Sequence, residues 1–229
     1  MKKILVLITL ALLTIQGFSQ KLIKLTFTPN GSSVIAGIGL DEDVLVNLSL
    51  DGNITEWGVD RYAGRVDYIP RKLDQYTGRV EYYTNNDNEA FRGKIKYIGK
   101  TLVTYYASFD NQVFAGKIRS IGPLNFEYYS NYDDVAMQGK IKTAGQTGFA
   151  YYSSFENEGY KGKLKMAGNV PVTYFSALDD KAFAGKIKSI DGTQYTYYTS
   201  QDTQPLRGVM KTGRQIQVIN GITFWIRNF

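Results

Sequence analysis

The sequence predicts an all-β protein. The fold expected is an antiparallel meander of repeated 23-residue β-hairpins, forming a curled single sheet or an open barrel, with no significant helix after an N-terminal leader. Glycine recurs every 23 residues, and an aromatic pair such as Tyr105-Tyr106 ends ten residues before each glycine. No later segment shows an extended apolar period of about 3.6 residues. A fixed period of this length indicates an array of one stacked supersecondary unit. The six glycines are Gly93, Gly116, Gly139, Gly162, Gly185 and Gly208.

Residues 1–19 have the pattern of a secretory signal peptide. Lys2 and Lys3 precede an apolar run, and Gly17 and Ser19 supply small residues at the −3 and −1 positions of a cleavage site. The apolar run is too short for a membrane anchor, so no membrane span is expected. The Ser-Gln junction that follows resembles those of exported proteins of the Bacteroidetes group. We therefore expect an exported protein.

Cysteine is absent, which excludes disulfides and the usual bacterial lipid anchor. The expected location is periplasmic, cell-surface or extracellular, and the protein is not expected to be a lipoprotein. Two of the 27 cations lie in residues 1–19, so their removal lowers the formal net charge from +6 to +4. This charge is too low for the dense basic patch of a nucleic-acid-binding protein, and no nucleic-acid partner is expected.

Histidine is absent as well. Because histidine is the usual general base and the commonest metal ligand, conventional triads and zinc sites are excluded. We predict a non-enzymatic protein with no cofactor, no metal site and no catalytic residue. A carbohydrate-active enzyme using aspartate or glutamate remains a less favoured alternative. Of the paired carboxylates Asp41-Glu42-Asp43, Asp133-Asp134 and Asp179-Asp180, the last two lie in repeated turns, and repetition argues against a single active site.

Residues 20–60 are predicted to form an N-terminal β cap with strands over 22–28, 34–39, 44–50 and 54–58. Turn residues such as Asp51-Gly52-Asn53 separate these alternating segments. The array follows over residues 61–213 and begins with two shortened units at Gly64 and Gly78. A final hairpin, residues 214–229 with strands over 215–219 and 222–226, caps the chain. Atypical end units protect the exposed edges of an array.

Within one copy of the repeat, residues 113–121 are predicted to form a strand, and residues 125–130 the return strand. Strict alternation would place Gly116 and Ile118 on one face, and Lys117 and Arg119 on the other. An aromatic ring from the pair is expected to fill the gap beside the glycine. The apolar face must be buried, either by curling of the sheet or by face-to-face packing of two sheets. Which tyrosine of each pair joins the basic face stays open.

The 23-residue hairpin resembles the membrane occupation and recognition nexus (MORN) repeat over residues 76–213. The resemblance rests on the period, on an aromatic residue two before the glycine, as at Phe114, and on a second glycine, Gly122. The second glycine lies six residues after the first, and the later Gly-x-Gly of the family is missing. The period is also similar to that of the single-layer hairpin sheet of some spirochaete surface proteins. The MORN resemblance implies a sheet of hairpins with a lipid- or protein-binding role.

A ladder of cations is the best functional candidate, because lysine or arginine recurs three residues after each glycine and one residue after every glycine except Gly208. Corresponding strands of successive hairpins lie about 10 Å apart, which would give a regular grid of cations and tyrosines. Such a grid suits an anionic glycan whose rings stack on aromatics, whereas a solvated face that discourages aggregation is the alternative. The candidate binding residues are Lys94, Lys96, Lys117, Arg119, Lys140, Lys142, Lys163, Lys165, Lys186, Lys188, Tyr83, Tyr106, Tyr129, Tyr152 and Tyr198.

An acid occurs six residues before each glycine, from Asp87 to Asp202. Turn formation is favoured over calcium binding, since each turn offers only one or two carboxylates. The sequence thus predicts an exported, non-catalytic protein that binds or scaffolds at the cell envelope. Its expected partner is an anionic glycan, lipopolysaccharide or an envelope protein. A purely structural spacer or assembly module is the alternative, and the oligomeric state is not predicted.

Overall fold

A computed structural model describes residues 20–28, 30–40, 43–61 and 72–227. These residues form 19 strands and contain no helix, so the all-β prediction is confirmed. The predicted signal peptide (1–19) and the shortened unit at Gly64 lie outside the described residues, as do Asp41 and Glu42.

A six-stranded sheet combines both ends of the described chain in the order β18-β19-β1-β2-β3-β4. Neighbours are antiparallel except for β1 and β19, which run parallel with Thr26 opposite Trp225. Alternating segments and Gly turns predicted these strands to within about two residues at each end. The strands are β1 (Lys21–Phe27), β2 (Val34–Gly39), β3 (Val44–Ser49), β4 (Ile54–Val59), β18 (Ile216–Ile219) and β19 (Ile222–Ile226). The final hairpin therefore extends the N-terminal sheet.

The repeats form an eleven-stranded sheet in which each strand pairs with its neighbours in sequence, so the meander is confirmed. A separate pair, β16 (Thr196–Tyr197) and β17 (Met210–Thr212), continues the array. The eleven strands are β5 (Val80–Tyr82), β6 (Ile95–Ile98), β7 (Thr101–Tyr105), β8 (Ile118–Ile121), β9 (Leu124–Tyr128), β10 (Ile141–Ala144), β11 (Thr147–Tyr151), β12 (Leu164–Ala167), β13 (Val170–Tyr174), β14 (Ile187–Ile190) and β15 (Thr193–Gln194).

The first strand of each hairpin is shorter than predicted. The strand expected over 113–121 begins only at Ile118, because Gly116 has φ +75° and belongs to a long turn. A β-bulge follows, since Tyr105 lies opposite Ile118 while Thr104 lies opposite Ser120. The prediction of strict alternation through this segment was therefore wrong.

The two sheets pack face to face and share one apolar core. Phe27 and Ile38 of the six-stranded sheet and Phe126 of the array are among its fully buried members. Main-chain hydrogen bonds also join the layers: the Ile141 N–H donates to the Leu50 carbonyl at 2.7 Å, and the Ile118 N–H donates to the Gly52 carbonyl at 3.2 Å. The six-stranded sheet thus covers the apolar face of the array.

Candidate functional site

The first aromatic residue of each pair faces the core, except in the first pair, where Tyr82 is 53% exposed. These inner tyrosines are Tyr105, Tyr128, Tyr151, Tyr174 and Tyr197, all at least nine-tenths buried. Four of them donate a hydroxyl hydrogen bond to a carbonyl ten residues earlier, as Tyr128 does to Ile118 at 2.7 Å. Burial raises the pKa of every inner tyrosine above the usual value.

The second aromatic residue of each pair is half-buried and lies on the side of the cations, which resolves the orientation that the sequence left open. These outer aromatics are Tyr83, Tyr106, Tyr129, Tyr152, Phe175 and Tyr198. The Tyr106 hydroxyl donates to the Phe126 carbonyl of the next hairpin at 3.0 Å, and Tyr83, Tyr129 and Tyr152 repeat this bond. Four of the five candidate rings are therefore held in fixed positions by the next hairpin.

The lysines that directly follow the repeat glycines donate hydrogen bonds to main-chain carbonyls within the protein. These inner lysines are Lys94, Lys117, Lys140, Lys163 and Lys186. Lys94 Nζ donates to the Gly116 carbonyl of the next repeat at 2.5 Å, and Lys140, Lys163 and Lys186 make the equivalent bond. Lys117 Nζ instead donates to the Asp51 carbonyl at 2.8 Å. Each ammonium also lies 5.2 to 5.6 Å from the centroid of an inner tyrosine.

Partial burial of the inner lysines lowers the pKa of each. Lys163 shows the largest effect, since desolvation lowers its pKa to about 8. Its Nζ donates to two carbonyls, Gly185 in the next repeat at 2.6 Å and Asn30 of the other sheet at 2.7 Å. Half of the ten predicted binding cations are thus committed to contacts within the protein.

The cations three residues after each glycine have a different environment. This cation stripe consists of Lys96, Arg119, Lys142, Lys165, Lys188 and Lys211. Each charged group lies 5.1 to 5.8 Å from the centroid of the outer aromatic in its own repeat. All are exposed except the half-buried Lys96. Within the described ranges, the stripe makes one ion pair, between Lys165 and Glu156 at 3.8 Å.

The repeated acids form turns, as predicted. Asp133 accepts from the Ser130 main-chain N–H at 2.6 Å and from the Ser130 hydroxyl at 2.8 Å. Hydrogen bonds of this kind lower the pKa of Asp87, Asp133 and Asp202. In the part of the chain that the structure describes, no three His, Cys, Asp or Glu side chains are grouped to hold a metal ion.

A second polar series, one residue after these acids, was missed in the sequence analysis. Asp134 accepts from the Ala136 N–H at 2.8 Å in its own turn and from the Ser154 N–H at 3.0 Å in the next repeat. The same position holds Asn88, Asn111, Asn157 and Asp180 in other repeats, and each also bonds to the following one. The recurrence of Asn or Asp at this position of the repeat could have revealed this series from the sequence. Asp133-Asp134 and Asp179-Asp180, once candidates for acid–base chemistry, are both engaged in such bonds.

A row of exposed apolar side chains was also missed. These apolar tips are Phe109, Tyr132, Phe155 and Leu178, which are 84 to 95% exposed. Each directly precedes a turn acid, and Lys142 of the stripe lies close enough to Asp133 to help lower its pKa. The tips and the stripe therefore flank the same turns.

Comparison with protein-family models, with curated proteins and with solved structures finds no match for this chain. The site is therefore interpreted from its own geometry. Among the residues that the structure describes, no helix is long and apolar enough to cross a membrane.

Replacing Lys163 by methionine should lower the free energy of unfolding by about 1–3 kcal/mol, because two carbonyls lose their donor. Lys188→Met is the matched control, since Lys188 is exposed and lies over the Phe175 ring at 5.8 Å. The control should change stability by less than about 0.5 kcal/mol. Urea unfolding of both variants measures the difference, and equal costs would contradict the structural role of the inner lysines.

Proposed function

We propose that this chain is an exported, non-catalytic repeat protein that binds a linear anionic glycan along the cation stripe. The observation that carries the proposal is the stripe itself. It presents one cation per repeat above an aromatic ring, and nearly all of these charges are exposed. The inner lysines, by contrast, are explained by contacts inside the protein.

The spacing of the stripe favours a polymer over a small ligand. Equivalent residues of successive hairpins are separated by two strand spacings, about 10 Å. In an extended glycan whose sugars are all acidic, such as polygalacturonate, every second carboxylate recurs at a comparable distance. Several weak contacts to one chain then add through multivalency, although each exposed ion pair contributes only about 0.2–1 kcal/mol.

Preorganisation also supports this function. Four of the six outer aromatics are fixed by hydroxyl hydrogen bonds to the next hairpin, as in the bond from Tyr129 to Phe149 at 2.8 Å. A ligand therefore meets rings that are already ordered, which reduces the entropy cost of binding. The apolar tips, on the same turns, offer exposed surface for the C–H faces of sugar rings.

The test compares two triple variants that remove the same charge. Arg119→Gln/Lys142→Gln/Lys165→Gln neutralises the centre of the stripe, while Lys21→Gln/Lys100→Gln/Lys181→Gln neutralises exposed lysines elsewhere. Binding to polygalacturonate is measured by calorimetry at low and at moderate salt, with dextran as the neutral polymer. The stripe variant should bind about tenfold or more weakly, and the control about as tightly as the parent protein. Binding should weaken with added salt.

Equal losses in the two variants would show that only net charge matters, and would contradict a site at the stripe. Binding to dextran as tight as binding to polygalacturonate would contradict an electrostatic site. If no polymer binds, the alternative of a spacer or assembly module is preferred. The apolar tips favour that alternative, because exposed apolar rows mark protein contacts.

A further inference from the structure

β18 is an edge strand of the six-stranded sheet, because it pairs with β19 on one side only. The Ile226 N–H donates to the Gln215 carbonyl at 2.8 Å, and main-chain bonds between antiparallel strands involve every second residue. The N–H and C=O groups of Ile216 and Val218 therefore point away from β19. Within the described residues, no main-chain bond reaches them from that side. The outward edge of β18 is thus open.

The side chains of the same two residues are exposed and apolar. Ile216 is 42% exposed and Val218 68% exposed, and both lie on the face of the sheet opposite the core. Gln217 between them faces the array, where it accepts from the Thr193 hydroxyl at 3.0 Å and donates to the Tyr195 hydroxyl oxygen at 3.1 Å. The open edge is therefore held in place by the array and does not need to be ordered on binding.

The other edge strands of the described sheets are protected against pairing. β4 contains Glu56, and its end is bonded to another segment, since Val59 and Asp74 exchange two main-chain hydrogen bonds. β5 and β17 have three residues each, with the charged Glu81 and Lys211 in the middle. β15 and β16 have only two residues each. Short length, charge and covering are usual ways in which proteins block an edge.

β18 has none of these protections. It has four residues, Ile-Gln-Val-Ile, without a charge or a proline, and it pairs with β19 without a bulge. A regular, uncharged edge with exposed apolar side chains is suited to the addition of another strand.

A second copy of this chain fits this edge. The formal net charge is +6, so two copies approach most readily through a segment that carries no charge. A two-fold axis at Gln217 would place Ile216 of each copy opposite the partner's Val218. Both residues direct their N–H and C=O groups outward, so the two pairs form four hydrogen bonds and remove apolar side chains from water. Arg214 then lies opposite the partner's Asn220 and meets no second arginine.

We propose that two copies of this chain associate through antiparallel pairing of β18 with β18. The two six-stranded sheets then form one continuous sheet of twelve strands. Because the contact is confined to one short strand from each copy, it forms a reversible dimer and not a permanent one. This interface goes beyond the glycan proposed for the cation stripe and uses none of the stripe residues.

Sedimentation velocity of the protein over about 2–200 µM tests the proposal. The parent protein should shift from monomer to dimer across this range. Val218→Lys should weaken association at least about tenfold, because it places a charge in the neutral edge of both copies. Val135→Lys is the matched control, since Val135 is 72% exposed in a turn of the array and the charge added is the same. Thermal unfolding of each variant confirms that it is folded.

The absence of cysteine allows a second test, which reports the register. In Gln217→Cys the two thiols lie across the two-fold axis as a non-hydrogen-bonded pair, whose Cα atoms are about 4.5 Å apart and within reach of a disulfide. Oxidised glutathione should therefore convert most of this variant to a covalent dimer. Val135→Cys is the control and should remain without an intermolecular disulfide under the same conditions.

Each outcome supports or overturns the proposal. A parent protein that is monomeric at every concentration would overturn it, as would a Val218→Lys variant that associates like the parent. Equal losses in Val218→Lys and Val135→Lys would show that net charge alone controls association. Equal cross-linking of the two cysteine variants would overturn the register. The triple stripe variant should form the dimer normally, which separates this test from that of the stripe.

Discussion

Replacing Gly116 by alanine should destabilise the protein by about 3–4 kcal/mol, whereas the same change at Gly93 should cost only about 1–2 kcal/mol. The two glycines occupy equivalent repeat positions and have nearly the same backbone conformation, with φ +75° and +72°. Both substitutions therefore carry the left-handed penalty of an L-residue. They differ in their surroundings, because a Cβ at Gly116 would lie 2.6 Å from the Ala90 carbonyl oxygen and one at Gly93 would meet nothing within 4 Å.

The additional cost at Gly116 comes from the contact between repeats. The Ala90 carbonyl is main chain in the preceding turn and cannot move independently of it. Lys94 Nζ, 2.9 Å from the added Cβ, is bonded to the Gly116 carbonyl and would also have to shift. Urea unfolding of the two variants measures the difference. Equal costs would mean that φ alone selects glycine at this position.

This contact also corrects an expectation about the repeated glycine. An aromatic ring was predicted to fill the gap beside it, and that prediction was wrong for the array. At Gly116 and Gly185 the space is occupied by a carbonyl and a lysine of the preceding repeat. The glycine is required by a left-handed turn and by the close approach of neighbouring turns.

The fold class could be predicted because its signals are local. Alternation in residues 44–49 and 54–59, with a Gly-containing turn at Gly52 between them, defines a hairpin without knowledge of its neighbours. The parallel pairing of β1 with β19 could not be predicted, since it joins segments about 200 residues apart. Periodicity within a strand holds no information about such a partner.

The candidate site was predicted in composition but not in geometry. Lys117 and Arg119 looked equivalent because both were assigned to one face of a regular strand. The turn through Gly116 and the bulge at Arg119 separate them, so that Lys117 contacts the other sheet and Arg119 is exposed.

Raising the pH above about 10 should unfold the protein steeply, because the inner tyrosines ionise more easily in the unfolded chain. Burial raises their pKa values, so the folded protein keeps five protons that the unfolded chain releases. A raised pKa gives stability that is fully present below the unfolded value and is lost as the pH rises. Each tyrosine should remove about 1.4 kcal/mol per pH unit above 10, and all five together about 7 kcal/mol.

Lys163 has the opposite effect on the free energy of unfolding, and its effect begins at a lower pH. Its pKa is about 8 in the folded protein, so the folded state releases a proton that the unfolded chain retains up to about pH 10.4. Stability should therefore rise gently above pH 8 before the tyrosines reverse the trend. Urea unfolding at successive pH values measures both the rise in stability above pH 8 and its loss above pH 10.

Tyr174→Phe tests whether the inner tyrosines cause the loss of stability above pH 10. The phenylalanine has no proton to lose, so the slope above pH 10 should become shallower by about 1.4 kcal/mol per pH unit, whatever the variant loses at neutral pH. Tyr132→Phe is the matched control, because the Tyr132 ring is 92% exposed in the folded protein and in solvent in the unfolded chain. Its slope should equal that of the parent. If Tyr174→Phe leaves the slope unchanged, the Tyr174 ring ionises without unfolding of the protein. Burial of the inner tyrosines against the six-stranded sheet would then not be what holds the two layers together at high pH.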